Sequence, residues 1–144
     1  MSQARIAAAG LFALMAWQGT APEAAAQAPT RQPAPAGAQV YFHYPIDGLS
    51  VPERFTVRIG LRGMGVAPAG INHARTGHHH LLIDTDPGPP VPSDYNNIHL
   101  GNGQTEVVVT LPKGRHTLQL LLGDHMHIPH NPPVMSPKIT VNVR

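Results

Sequence analysis

The chain has 144 residues, with 10 Lys/Arg against 8 Asp/Glu scattered singly, so it carries no basic stripe of the kind that nucleic-acid binding needs. It has no cysteine, which excludes disulfides, thiolate metal sites and thiol nucleophiles. It has 10 histidines, and their placement is the strongest functional signal in the sequence.

Residues 1–5 are short and basic, residues 6–17 are apolar, and Ala24-Ala25-Ala26 follows. This is the pattern of a secretory signal peptide over 1–26, too short an apolar run to span comfortably, and it predicts a periplasmic or secreted product. No cysteine follows for lipid attachment, and no second apolar stretch is long enough to cross a bilayer. Residues 27–38 are rich in Pro and Ala without periodicity and read as a tether.

From 39 to 144 the pattern is strands and turns, enough chain for a single domain. A strand over 39–44 ends at the turn Pro45-Ile46-Asp47-Gly48. Over 54–62, Phe55, Val57, Ile59 and Leu61 point one way while Thr56, Arg58, Gly60 and Arg62 point the other. A Gly/Pro/Ala loop spans 63–77, and 78–84 is the next strand. The prolines Pro87, Pro89, Pro90 and Pro92 exclude regular structure over 86–93. Strands then follow over 97–100, 104–111, 115–122 and 138–144, separated by Gly101-Asn102-Gly103, by Pro112-Lys113-Gly114 and by the segment after Leu122. The aromatics of this region are Tyr41, Phe42, Tyr44, Phe55 and Tyr95, so the core must come mostly from Val, Leu and Ile. No helical period is present. About seven short strands with turns between them predict an all-β fold, an immunoglobulin-like antiparallel β-sandwich.

In that topology alternate loops gather at one end. His73 lies in the loop before the 78–84 strand and His78 opens that strand, His99 lies near the end of 97–100, and His125, His127 and His130 follow the 115–122 strand. Histidines remote in sequence are therefore expected to converge, with His43 and His116 elsewhere. A period of two puts His78 and His80 on one face of their strand, able to share a metal, and turns His79 toward Leu81 and Ile83 as a structural residue. His125 and His127 repeat that spacing, and His130 sits in the Pro-stiffened run Pro129-His130-Asn131-Pro132-Pro133. Asp124 reads either as an acceptor orienting a histidine ring or as a strand-ending residue. Met64, Met126 and Met135 offer thioethers to copper, though methionine more often fills packing gaps.

Catalytic signatures are missing. Ser50, Ser93 and Ser136 stand in Pro-rich or turn contexts with no nucleophile elbow, Gly60, Gly63 and Gly65 form no phosphate loop, and no carboxylate pair marks a glycosidase. His78-x-His80 with Pro112-x-Gly114-x-His116 looks like cupin metal motifs, but it lacks the expected Glu and is one residue short.

Longer motifs carry a resemblance. Gly63-Met64-Gly65-Val66-Ala67-Pro68-Ala69-Gly70, Thr76-Gly77-His78-His79-His80-Leu81-Leu82-Ile83-Asp84, Gly103-Gln104-Thr105-Glu106, Leu118-Gln119-Leu120-Leu121-Leu122-Gly123-Asp124 and Pro129-His130-Asn131-Pro132-Pro133-Val134 resemble a family of small exported bacterial proteins known as a domain of unknown function. The resemblance covers nearly all of 41–144 and implies an exported β-domain without naming a substrate. Its histidine motifs fall on His78, His79, His80, His99, His127 and His130. The chain departs from the pattern at Asn97, where a histidine is expected, and at Leu100, which replaces an aromatic.

The functional expectation is a periplasmic protein that binds copper or zinc through His78, His80, His99, His127 and His130, buffering or delivering the ion rather than catalysing a reaction. The alternative is a metal-free interaction module of an envelope complex that presents the same loop end to a partner.

Overall fold

The alternation over 54–62 builds the frame of the first sheet. The structure, a computed structural model, describes residues 30–85 and 97–144; the signal-peptide and 86–93 expectations lie outside the described residues. In it β1 (Gln39–Tyr44) pairs antiparallel with β3 (Arg54–Arg62), and β3 pairs antiparallel with β7 (Glu106–Thr110). Phe55, Val57 and Ile59 turn inward from β3, with Val40 and Val109 from its neighbours.

The second sheet runs β2 (Ser50–Val51), β9 (Ile139–Val143), β8 (Gly114–Gly123), β5 (Thr76–Ile83) and β4 (Gly65–Val66). Strand β6 (Asn97–Leu100) also pairs with β5, antiparallel, beyond the two residues that β4 occupies. Leu81 and Ile83 from β5, Leu118, Leu120 and Leu122 from β8, and Val141 and Val143 from β9 close the core against the first sheet. The result is the expected all-β sandwich, and the described residues contain no helix. The fourth long strand joins the β5–β8 sheet, whereas constant-type immunoglobulin domains place it in the other one. That pairing sets Leu100 opposite His79, facing the core, and His99 opposite His80.

The stretch read as a tether is docked from Gln32 onward. Ala34 N–H donates to the Asn131 carbonyl and Asn131 N–H donates to the Gln32 carbonyl, each at 2.9 Å, while Ala34 and Ala38 pack against the core.

At the other end of β5 and β8, His116 is held apart from the remaining histidines. Its Nδ1 donates to Asp84 Oδ2 at 2.6 Å and its Nε2 donates to the Pro112 carbonyl at 2.9 Å. A ring with two acceptor partners is an imidazolium. Burial works against that charge, but the Asp84 and Pro112 hydrogen bonds and the Asp84 charge outweigh it and raise the His116 pKa. The pair therefore stabilises the fold below the ordinary histidine pKa of 6.5, and its contribution is lost as pH rises through the raised value. An NMR titration is expected to place His116 above 6.5, with Asp84→Asn bringing it down; an unchanged value in that variant would refute the pairing.

Candidate metal centre

Two residues of β5 begin the site. The side-chain period of a strand sets His79 with Leu81 and Ile83 toward the core and leaves His78, His80 and Leu82 on the opposite face. His78 and His80 are nonetheless fully buried, because chain from neighbouring elements covers that face. Register supplies the third histidine: His80 pairs with His99 of β6, so both side chains leave the sheet on one side. Gly101, two residues on, makes room for it, since a Cβ there would lie 2.3 Å from the His99 ring.

The fourth histidine comes from the turn after β8. Asp124, itself buried, accepts the backbone N–H groups of Met126 at 2.8 Å and Ile128 at 3.0 Å through Oδ1. Its own N–H donates to the Ile128 carbonyl, and its carbonyl accepts the His127 N–H. This clasp holds His127 at φ +67, a left-handed conformation uncommon for a residue with a Cβ, and turns its ring over the sheet. Asp124 thus acts on His127 by shaping the backbone around it.

Glycine again provides the space. Gly123 lies opposite His78 in the ladder, and a Cβ on it would sit 2.8 Å from His80 Cε1 and 3.2 Å from His127 Cα. The loop between β4 and β5 ties the parts together: Ala69 N–H donates to the Gly101 carbonyl at 2.8 Å and Gly70 N–H to the His125 carbonyl at 2.9 Å.

The outcome is a cluster of His78, His80, His99 and His127, with one ring nitrogen from each lying within 4.8 Å of the others. The Nε2 atoms of His99 and His127 are 3.1 Å apart. A tetrahedral zinc ion bonded to imidazole at about 2.0–2.1 Å separates its ligand nitrogens by about 3.3 Å, close to the spacing of this pair. Among the described residues, neither ring nitrogen of His78 or His80 has a hydrogen-bond partner. A buried polar atom left so costs about 1–3 kcal/mol, which coordination would offset for the nitrogen that binds.

Burial and mutual repulsion hold three of the four imidazoles in the neutral form. Burial, followed by the neighbouring histidines, lowers the His78 pKa to about 4 and the His80 pKa to about 3, and lowers that of His99 as well. Neutral imidazole is the metal-binding form. His78, His80 and His99 are therefore held in the metal-binding form at neutral pH, and the cluster can hold a metal ion.

The remaining histidines are distributed differently. His130 is buried outside this group, and its neighbour Asn131 bridges to Pro33. His79 is buried facing the core beside Leu100 and Leu122, and burial lowers its pKa to about 4. His125 Nδ1 lies 3.3 Å from Gln32 Nε2, and His73 is exposed. Met126 and Met135 are exposed, and Met64 packs against the core. At position 97 the side chain shares the His99 face but stands opposite Leu82, one step along the sheet from the cluster, so the four-histidine set is complete without a histidine there. The roles of Gly101 and Gly123 were missed from the sequence; their only signal is that each lies within a few residues of a clustered histidine.

Fold and site together define a β-sandwich protein carrying a partly buried four-histidine cluster. The chain belongs to the family described as a domain of unknown function, DUF4399, whose profile matches residues 57–144. None of the curated proteins matches it. Among solved structures it is similar to the endo-beta-1,4-mannanase from Thermotoga petrophila, at 16% identity and a TM-score of 0.46, over 74% of this chain and 20% of that one. The chain thus spans about a fifth of the length of that enzyme chain.

Proposed function

We propose that this is an exported, periplasmic protein that binds one copper or zinc ion through His78, His80, His99 and His127. One observation carries the reading: imidazoles from β5, β6 and the turn after β8 converge on a partly buried space where the ring nitrogens of His78 and His80 have no hydrogen-bond partner among the described residues. Four protein ligands fill a tetrahedral shell, as in structural zinc sites, whereas catalytic zinc keeps an open position for water. That favours buffering or delivery of the ion over catalysis. Export rests on the leader pattern of residues 1–26.

The test is elemental analysis of untagged protein purified from the periplasm without chelators. One equivalent of copper or zinc is expected in the wild type and in His130→Ala, and less than a tenth of that in His80→Ala. A metal-free protein that also fails to take up added copper or zinc at micromolar concentration would remove the reading. The histidine end would then be a surface for an envelope partner.

A further inference from the structure

The arrangement of the four rings speaks to which kind of ion they would hold. His78 and His80 rise from adjacent same-face positions of β5, and His99 rises beside His80 from the next strand. His127 comes from the turn beyond β8. Three ligands standing on a sheet with a fourth from a separate turn are not expected to be coplanar.

The ring separations agree. In a square, one way of dividing four ligands into opposite pairs gives two diagonals, both longer than the sides by a factor of about 1.4. Here His78–His80 and His99–His127 are both 4.7 Å apart. His78–His99 and His80–His127 are 4.9 and 5.7 Å. His78–His127 and His80–His99 are 4.9 and 5.2 Å. No division shows two long diagonals. Four imidazoles radiating tetrahedrally from one ion at about 2.0–2.1 Å would have ring centres about 5 Å apart, close to what is seen.

Flattening the set would meet steric obstacles. His78 and His80 are fully enclosed, His80 lies against Gly123, and the Asp124 clasp fixes the backbone on both sides of His127. Resting on the metal-binding reading, we infer that this site selects a closed-shell d10 cation, Zn(II) or Cu(I), and discriminates against Ni(II) and Cu(II). Closed-shell ions accept a tetrahedron without electronic cost, whereas Ni(II) and Cu(II) with nitrogen ligands favour square-planar or tetragonal sites.

The inference inverts a general order. An adaptable nitrogen site binds Ni(II) more tightly than Co(II). The metal-free full chain is therefore loaded with Co(II), whose visible absorption is intense when tetrahedral and weak when six-coordinate, and challenged with Ni(II). Intense bands are expected, persisting in a tenfold excess of Ni(II) and disappearing when Zn(II), or Cu(I) under anaerobic reducing conditions, is added in equimolar amount. Competition between those last two ions identifies the tighter one. His127→Ala should lose the intense bands while retaining the β-sheet circular dichroism of the wild type. Weak six-coordinate absorption, or displacement of Co(II) by equimolar Ni(II), would overturn the geometric inference and leave metal binding standing. Failure of all these ions to bind would overturn both.

Discussion

Loading the metal-free protein with zinc to a thousandfold above its Kd is expected to raise its melting temperature by at least about 10 °C. The linkage is direct, because an ion that binds only the folded state at that excess adds about 4 kcal/mol. For a domain of this size each kcal/mol moves the midpoint by several degrees. His80→Ala should abolish most of the shift, since it removes one of two donors fixed on the same strand. Scanning calorimetry with zinc and with a chelator reads the effect. An equal shift in wild type and variant would place the ion elsewhere, for instance on exposed His43 or His73. The metal-free protein should also be acid-sensitive. His78 and His80 titrate at about 4 and about 3 when folded but near 6.5 when unfolded, so the unfolded chain takes up protons first. Stability of the metal-free form therefore falls as pH drops from about 6.5 toward those values.

Gly123→Ala is expected to damage the site more than the fold. The added methyl would press on His80 Cε1 at 2.8 Å and on the backbone at His127 Cα at 3.2 Å, displacing two ligands at once. Overpacking of this kind costs roughly 1–3 kcal/mol of stability. Zinc affinity, read by competition with a chromophoric chelator, should fall by at least tenfold. Gly65→Ala is the control: its Cβ would meet Thr76 Cγ2 at 3.4 Å and the Arg75 carbonyl oxygen at 4.0 Å, both ordinary contacts, and affinity should be unchanged. Wild-type affinity in Gly123→Ala would mean that His80 and His127 need not hold the positions described.

Much of the frame was legible because strands with one buried face announce themselves. The alternation around Phe55, Val57 and Ile59 predicted β3 to the residue, and the turns Gly101-Asn102-Gly103 and Pro112-Lys113-Gly114 marked the end of β6 and, within a residue, the start of β8. The two-residue strands β2 and β4 have no period to read, and they arise from edge pairing alone. The face shared by His78 and His80 follows from strand geometry. The position of His99 does not, because register depends on which strands become neighbours, and the β5–β6 pairing is a tertiary choice. The turn holding His127 lay partly within reach, since Asp124 was visible as a strand-ending residue, but its clasp on two backbone N–H groups was not. His130 drew attention through its stiff proline context. The segment bridges to Pro33 through Asn131, and His130 is buried apart from the cluster.

The spread of the four histidines has one more consequence in a chain without cysteine. An ion held between β5, β6 and the turn after β8 would be a cross-link between segments far apart in sequence, restricting the unfolded chain much as a disulfide does. With a redox-inert ion such as zinc, such a staple answers to metal supply rather than to thiol chemistry, so reductants would leave it intact while chelators would open it.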